Sequence, residues 1–543
     1  MTPRATDKTL RVARSFAYPK QILYLIASFI ALVSLCHIIS VAFRYATRKR
    51  VYSGKRASAS VSRLPIALVD SIQALTMRWT IHLGSSYMFN FAEVGVVIGY
   101  MGVLFSWTFV NTTTLEGQKV EAHYYANRAG TIAASQLPIV IALGMKNNII
   151  SSLTGIGFEK VITFCSHLIH LTLPQLNFLH RMSARTLVIL IWIHGGGRCG
   201  FLAASSLSLL CILSIRPVRE KSYELFLIIH LTLPCNMTYY GSWPSLIVWG
   251  LDRLISMGKI VIANFSYFNP WSKSSKELDA TVEVLSHHFL KVTLHRSKYF
   301  YWRPGQSAYL SFPTGGNKLT FFLRVRKGFT ARLMQAASQE STYKAFINGP
   351  YSSPPILIGY QSIMLFAGGS GISFTLPLFL SVINQAKRNK LNCRRVTFVW
   401  AIRDPDQVKW IEDVLSSAIK DLPNSIFVAI KLYVTAVLGN SEGFEEGDPS
   451  TDDLEGEKVP STPSSQYGSR LLESPLTSLN QGRPDLDALI KNEIEADIGP
   501  ISINVCGSQS LAEAVRRSVR VPRPMDVLRG GPTISLHIEP FGV

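Results

Sequence analysis

The chain has 543 residues, and at about 150 residues per domain this length allows three or four domains and excludes a minimal module. Lysine and arginine number 55 against 35 aspartate and glutamate, a net charge of +20, yet only 17% of residues are charged and 47% are hydrophobic. This balance is typical of a membrane protein with basic cytoplasmic loops, and not of a nucleic-acid binder. The seven cysteines are too far apart to form a disulfide framework or a Cys-x-x-Cys metal site from local spacing.

The first apolar run covers residues 21–43 and holds no charged residue over 23 positions, enough to cross a hydrocarbon core of about 30 Å. It is longer than the apolar part of a signal peptide, and no small-residue cleavage site follows, so we interpret it as a retained anchor. Residues 44–63 hold seven basic residues and no acidic one, which favours a cytoplasmic position. Residues 1–92 are therefore predicted to be an anchor helix followed by a basic cytoplasmic loop.

Further apolar runs predict a transmembrane domain over residues 93–258, with about six or seven spans in the first half of the chain. The runs are 93–110, 131–150, 172–193, 200–215 and 223–255. Asn111-Thr112-Thr113 forms a glycosylation acceptor in a loop that this topology places outside the cell. Arg216, Arg219 and Lys221 fall where the chain returns to the cytoplasm.

The texture of the sequence changes after about residue 258. Residues 259–355 show alternating strand patterns broken by proline and glycine, which predicts a β-rich domain. Residues 356–543 repeat an apolar strand, a turn and a helical pattern, as in a nucleotide-binding α/β domain. Within it, residues 438–485 are rich in serine, proline, glycine and glutamate and are predicted to be a disordered cytoplasmic insertion.

Two histidines lie on one apolar segment. His180 and His194 are 14 residues apart, which on a helix is about 21 Å of rise and about 40° short of four turns. Both imidazoles would project from one face near opposite sides of the bilayer, which suits two stacked haems with one axial ligand each from this helix. A polar contact between helices is the alternative for a membrane histidine.

The sharpest motif of the second half is the turn in MLFAGGSGISFTLPL. It directly follows an apolar strand and opens a helix, so its backbone can approach a pyrophosphate at the positive helix end. Its residues are Gly368, Gly369, Ser370 and Gly371. The sequence therefore predicts a dinucleotide site at this turn.

These motifs in combination resemble the fungal ferric-chelate reductases, relatives of the superoxide-producing NADPH oxidases. The resemblance covers roughly residues 93–543 and includes the pattern R-x-x-x-Y-E-x-F-x-x-x-H over residues 219–230. It implies a multi-span α-helical membrane domain followed by a ferredoxin-reductase-like β-barrel FAD domain and an α/β NADPH-binding domain. It also implies electron flow from NADPH through FAD and an inner and an outer haem b to an extracellular metal ion.

The resemblance assigns roles by position. His180 and His230 would bind the inner haem, and His194 one side of the outer haem. The cofactor-binding residues of the barrel would be Arg303, Pro304, Gly305, Gln306, Arg324, Arg326, Gly328, Thr330, Gly349 and Pro350. The nucleotide site would comprise Gly368 to Gly371, Arg403 at the adenosine 2′-phosphate, Cys506 beside the nicotinamide, Gly507, and Phe541 as the ring-shielding aromatic. The structural alternatives are a turn before a strand at 301–306, a solvated basic edge strand at 324–326 and a surface salt bridge at Arg403.

The sequence departs from the family pattern at two places. The family's second helix carries another histidine about 14 residues on, where this chain has Pro244, so the outer haem lacks one expected ligand. The family's H-P-F-[ST] segment, which holds the isoalloxazine ring, is also missing, because Pro313 to Gly316 runs straight into the next strand. Residues 161–175 look instead like an insertion, and we interpret His167 and His170 as incidental.

Three interpretations of function follow. The leading one is a plasma-membrane NADPH-dependent ferric or cupric chelate reductase that serves iron and copper uptake. A superoxide-forming NADPH oxidase shares every motif, and an inactive membrane protein or the product of a faulty gene model would explain the departures. The expected partners are membrane lipid, extracellular ferric or cupric chelates and iron-uptake proteins, with no nucleic acid.

Overall fold

A computed structural model shows a helical bundle, an antiparallel sheet and a domain built on a parallel sheet. The residues that it describes are 7–47, 63–83, 87–114, 116–119, 121–145, 150, 175–195, 198–215, 218, 225–226, 228–230, 243–264, 280–286, 288–295, 302–304, 312–313, 318–325, 329–337, 342–343, 347, 349, 355–388, 391, 393–420, 422–435, 471, 474–496, 499–521 and 524–540. The predicted insertion at 161–175 lies almost wholly outside them.

Helices dominate the first half of the chain. In order they are α1 (Asp7–Thr47), α2 (Leu64–Gln73), α3 (Phe91–Phe109), α4 (Ala122–Leu143), α5 (Gln175–His194), α6 (Arg198–Leu213) and α7 (Trp243–Ala263). Within the described ranges, α1 over Asp7–Ile39 and α3 are long and apolar enough to cross a membrane by length and composition. The multi-span topology predicted from the sequence is thus supported at two of its spans and elsewhere stays a prediction.

Polar side chains on the other helices account for this difference. On α4, Arg128 and Gln136 are both buried, at 5% and 0% exposure. Arg128 donates to the backbone oxygen of Thr108 at 3.1 Å and so satisfies a carbonyl at the end of α3. Such residues lower the hydropathy of a helix although they face the interior of the bundle.

Helix α4 lies at the centre of the bundle and packs on α1, α3, α5 and α7. Its fully buried Ala129, Ile132 and Ala133 meet Leu187 and Leu190 of α5. The two alanines allow the helix backbones to approach closely, as small residues do in helix pairs. The α4–α5 pair is therefore the rigid centre on which the histidines of α5 are held.

The middle of the chain forms a five-stranded antiparallel sheet in the order β5-β6-β4-β3-β7. Its strands are β3 (Ala280–Ser286), β4 (Phe289–His295), β5 (Phe312–Pro313), β6 (Lys318–Arg324) and β7 (Thr342–Tyr343), with helix α8 (Phe329–Ala337) after β6. Val282, Leu290, Val292 and Leu323 bury one face of this sheet together with Trp302. This alternation matches the strand pattern predicted for residues 259–355.

The membrane-side helix α7 ends inside this sheet domain. Ala263 belongs to the core of the sheet, and Asn264 beside it is 3% exposed. The Asn264 side chain donates to the Ile347 oxygen and accepts from the Ile347 nitrogen, both at 2.8 Å. The helical bundle and the barrel domain are therefore joined by a buried two-bond contact as well as by the chain.

The last part of the chain forms a six-stranded parallel sheet in the order β11-β10-β9-β8-β12-β13. The strands are β8 (Ser362–Gly368), β9 (Arg395–Ile402), β10 (Phe427–Val434), β11 (Thr477–Gln481), β12 (Ile501–Gly507) and β13 (Ile534–Pro540). The helices are α9 (Ile372–Lys387), α10 (Glu412–Ile419), α11 (Leu486–Ala496), α12 (Gln509–Ser518) and α13 (Pro524–Leu528). Strands β8 and β12 are buried along nearly their whole length because helices cover both faces.

Strand β11 corrects one boundary. Thr477–Gln481 lies within the segment 438–485 that we predicted to be disordered, yet it pairs in parallel with β10. As the edge strand it is paired on one side and is partly exposed, so it does not need the apolar run by which the other strands were recognised. The predicted insertion is therefore too long at its C-terminal end.

The segment between α1 and α3 forms a docking contact with the parallel-sheet domain. Arg78 is 3% exposed; its guanidinium donates to Asp70 Oδ1 at 3.1 Å, to the Ile534 oxygen at 2.6 Å and to the Val519 oxygen at 3.0 Å. The Ile534 nitrogen donates to the same Asp70 oxygen at 3.2 Å. Burial lowers the pKa of Arg78, and the Asp70 carboxylate opposes this shift. The sequence analysis treated this segment as part of a basic loop and missed the contact.

We expect Arg78→Ala to loosen this contact, because it leaves Asp70 buried without its counter-charge, a loss of about 3–5 kcal/mol for a buried pair. Hydrogen exchange on the detergent-extracted chain should show lower protection of the backbone at Val519 and Ile534. Lys291→Ala, which removes the exposed Lys291–Glu283 pair, is the control and should leave protection unchanged. Equal protection in Arg78→Ala and the unmodified chain would show that the contact does not hold the domains together.

Candidate functional site

The topology of the parallel sheet places a crevice at the ends of two neighbouring strands. The chain runs outwards from β8 through β9 and β10 to β11, then returns to the other side of β8 with β12 and β13. The carboxyl ends of β8 and β12 therefore meet where the strand order reverses. Ligands of open α/β sheets bind at this switch point.

Glycines line this crevice because backbones approach closely there. A Cβ added to Gly371 would lie 2.0 Å from the backbone oxygen of Cys506. A Cβ on Gly507 would lie 3.0 Å from the Gly368 nitrogen. Gly369 has a φ of +52° with open space around it, a conformation that favours glycine. The predicted turn from Gly368 to Gly371 is thus held against the end of β12, which contains Gly507.

Neighbouring elements fix the shape of the turn. The indole of Trp400, which is fully buried on β9, donates to the Gly369 oxygen at 2.9 Å. Helix α9 begins at Ile372, directly after the turn, and presents its first backbone N–H groups there. The site is therefore suited to a pyrophosphate, which helix N-termini and glycine turns bind.

The predicted nicotinamide side of the site is formed by the end of β12. Cys506 is fully buried, and its register partners are Ala367 on β8 and Glu539 on β13. The sequence analysis missed Glu539, whose 7% exposure shows a buried acid beside Cys506 in the sheet. Phe541, the predicted ring-shielding residue, lies outside the described residues.

Arg403 is exposed, directly after β9. The next residue, Asp404, accepts a hydrogen bond from the Asp406 nitrogen at 2.9 Å and begins a 3₁₀ turn. Arg403 therefore lies on the rim of the sheet, at the carboxyl end of the strand next to β8. Its role as the 2′-phosphate ligand stays a prediction.

The barrel side of the predicted cofactor site is described at some of its residues. Arg303 is exposed beside the buried Trp302, and Thr330, which is 3% exposed, lies in the first turn of α8. The backbone of Arg324 pairs with Phe289 at the end of β6. Pro304 is half-buried and Gly349 is buried, whereas Gly305, Gln306, Arg326, Gly328 and Pro350 lie outside the described residues.

The barrel and the parallel-sheet domain touch near this region. Phe289 of β4 packs against Trp410 with ring centres 4.8 Å apart, and β5 packs against α9. Helix α9 is the helix that follows the glycine turn. The two predicted cofactor sites are therefore on domains in direct contact.

The histidines of the bundle are brought together as predicted in one case. The ring centres of His180 and His230 are 6.2 Å apart, and His230 also packs on Phe226 at 5.0 Å. His194 lies at the other end of α5. Pro244, where the family pattern expects a histidine, lies in the first turn of α7.

Both α5 histidines are bonded to the backbone of α4. Nδ1 of His180 lies 2.7 Å from the Val140 oxygen, and Nδ1 of His194 lies 3.0 Å from the Ala126 oxygen. A carbonyl oxygen only accepts, so Nδ1 is the donor and a neutral ring keeps the free lone pair on Nε2. This is the tautomer and the outer hydrogen bond that metal-binding histidines usually have.

Comparison with known proteins identifies the parallel-sheet domain. Residues 360–520 match the family model of the ferric reductase NAD binding domain. The chain is a relative of the fungal ferric reductases. A probable cell surface ferric reductase of Aspergillus oryzae is 27% identical over 351 residues, which are 53% of this chain and 45% of that protein. A probable ferric reductase transmembrane component of Candida albicans is 24% identical over 457 residues, 73% of this chain and 62% of that protein.

The chain thus spans about half to less than two thirds of the length of these ferric reductases. Among solved structures, a ferredoxin NADP+ reductase from Neisseria gonorrhoeae with bound FAD and NADP matches 48% of this chain and 97% of its own, at 15% identity and a TM-score of 0.30. The domain assignment rests on the family match and on the strand order described above, not on this score.

Proposed function

We propose that the chain is a plasma-membrane NADPH-dependent reductase of extracellular ferric or cupric chelates. The observation that carries the proposal is that a ferric reductase nucleotide domain and a histidine pair in a helical bundle are parts of one connected structure. The buried contacts of Arg78 and Asn264 join the sheet domains to the bundle. With α1 and α3 crossing the membrane, both sheet domains lie on the cytoplasmic side.

The glycine turn fits NADPH. Positions 368, 371 and 507 leave no room for a side chain, and the start of α9 supplies backbone donors for the pyrophosphate. We place the nicotinamide beside Cys506 and the 2′-phosphate at Arg403. A guanidinium can bind a phosphate through two parallel hydrogen bonds, so Arg403 would favour NADPH over NADH.

The pair of His180 and His230 fits one haem iron. With a metal–nitrogen distance of about 2 Å, two imidazoles on opposite sides of one ion have ring centres roughly 6 Å apart. The observed separation is 6.2 Å. We therefore assign His180 and His230 to an inner haem b and His194 to one side of an outer haem position that lacks its second histidine.

The described part of the flavin site fits a pyrophosphate at the start of α8, where Thr330 is buried after the arginines of β6. When bound, NADPH supplies a hydride, FAD divides its two electrons, and haem iron carries single electrons. The residues of the chain hold these groups in order from the cytoplasm to the bundle. The missing H-P-F-[ST] segment and the histidine replaced by Pro244 both lie on this line.

We expect cells that express this chain as written to show little surface ferric reduction, because a weakly held flavin and an absent outer relay each slow electron transfer by orders of magnitude. Inserting the two missing segments from the Candida relative should give NADPH-dependent reduction of ferric chelates, measured with a colorimetric ferrous indicator. The repaired chain with His180→Ala is the control and should be inactive. Strong reduction by the unrepaired chain, or none by the repaired chain, would contradict the proposal.

A further inference from the structure

Two glycines of α4 face the two histidines of α5. A Cβ on Gly130 would lie 2.7 Å from Cγ and Nδ1 of His194, and a Cβ on Gly144 would lie 3.0 Å from Cε1 and Nδ1 of His180. Neither glycine has the positive φ that would by itself favour glycine. The imidazole rings, and not the backbone conformation, are therefore the reason that a side chain does not fit at these positions.

The same arrangement occurs twice on α4. The carbonyl of Val140 accepts from His180 four residues before Gly144, and the carbonyl of Ala126 accepts from His194 four residues before Gly130. We call these the inner contact (Val140 and Gly144) and the outer contact (Ala126 and Gly130). Both contacts and both histidines repeat at a spacing of 14 residues. Because α4 and α5 run in opposite directions, one register of the helix pair satisfies both contacts.

The carbonyls are available for different reasons. At the inner contact α4 ends, and the Gly144 nitrogen donates to the Ile141 oxygen at 3.0 Å instead of to Val140. The Val140 oxygen is thus one of the last carbonyls of a helix, which need partners from outside it. At the outer contact, within the helix, the carbonyl of Ala126 has a second lone pair for His194.

We propose that Gly144 and Gly130, with these two carbonyls, are positioning residues that fix the rotamer and tautomer of His180 and His194 for iron ligation. Each carbonyl holds the proton on Nδ1, and each glycine lets the ring lie against the α4 backbone. The ligand role of the histidines rests on the haem site proposed above. The packing of glycine against imidazole does not depend on that site and can be tested separately.

The packing is tested by a double-mutant cycle on the thermal unfolding of the detergent-extracted full chain. Alanine normally stabilises a helix relative to glycine, so Gly99→Ala on α3, where a Cβ meets nothing within 4 Å, should raise the Tm slightly. Gly130→Ala should instead lower the Tm by several degrees, and in the His194→Ala background it should raise the Tm as Gly99→Ala does. The same sign reversal, with a smaller amplitude, is expected for Gly144→Ala with His180→Ala. Equal effects in both backgrounds would overturn the proposal.

The haem spectrum of the same samples reads the ligand role. Gly144→Ala should lower the haem content per chain by at least about twofold, whereas Gly130→Ala and Gly99→Ala should leave it unchanged, since the outer position lacks its second histidine. Equal haem loss in Gly130→Ala and Gly144→Ala, or none in Gly144→Ala, would overturn the assignment of Gly144 to a haem ligand. An unmodified chain without haem would overturn the haem site itself, while a sign reversal in the cycle would still establish the two contacts.

Discussion

Gly371→Ala should abolish NADPH binding by the full chain. The added Cβ would lie 2.0 Å from the Cys506 oxygen and 3.1 Å from the Gly507 nitrogen, both of which are backbone atoms and cannot rotate away. The turn or the end of β12 must therefore move, and the backbone donors of the pyrophosphate site move with it. We expect the affinity for NADPH to fall at least ~100-fold, which is about 2.7 kcal/mol, in calorimetric titration of the detergent-extracted chain.

Gly369→Ala is the matched comparison, because it changes the same turn without a steric overlap. Its φ of +52° makes alanine strained but nothing lies within 4 Å of the added Cβ. A cost of about 1–2 kcal/mol is expected for a left-handed alanine, so affinity should fall only about tenfold. If the Gly371 variant keeps the affinity of the unmodified chain, the nucleotide does not bind at this turn.

His180→Ala and His230→Ala should each abolish the haem b spectrum of the extracted protein. The two rings are 6.2 Å apart, and removing either leaves iron with one protein ligand at that position. The absorbance of the low-spin six-coordinate form should disappear in both variants, and the haem content per chain should fall to the background of cells without the protein.

His37→Ala is the control for this pair, since it removes a histidine from α1 of the same bundle. Its haem spectrum should equal that of the unmodified chain. A six-coordinate spectrum that survives either His180→Ala or His230→Ala would mean that the ligands lie elsewhere in the bundle.

Local patterns predicted the elements of the second half well. The apolar run 395–402 is β9 with the same bounds, and the glycine turn lies between β8 and α9 as expected. Such features depend on residues close in the sequence, because a buried parallel strand and a phosphate-binding turn each have their own composition. Here the sequence alone was sufficient to place the nucleotide site.

Contacts between distant segments were not predictable in this way. Arg78 bonds to carbonyls of residues 519 and 534, and Asn264 bonds to Ile347, so neither partner is visible in a local window. Gly130 and Gly144 are ordinary glycines of an apolar run until the register of α4 against α5 places them opposite the histidines. Their spacing of 14 residues, equal to that of His180 and His194, was the one available signal.

The central claim is that the bundle holds one haem between His180 and His230 and lacks the second ligand of an outer haem. The haem content and optical spectrum of the unmodified, detergent-extracted chain test this claim most directly. We predict a six-coordinate low-spin haem b spectrum with no more than one haem per chain. An extracted protein without haem, or one with two haems that both have two histidine ligands, would contradict it.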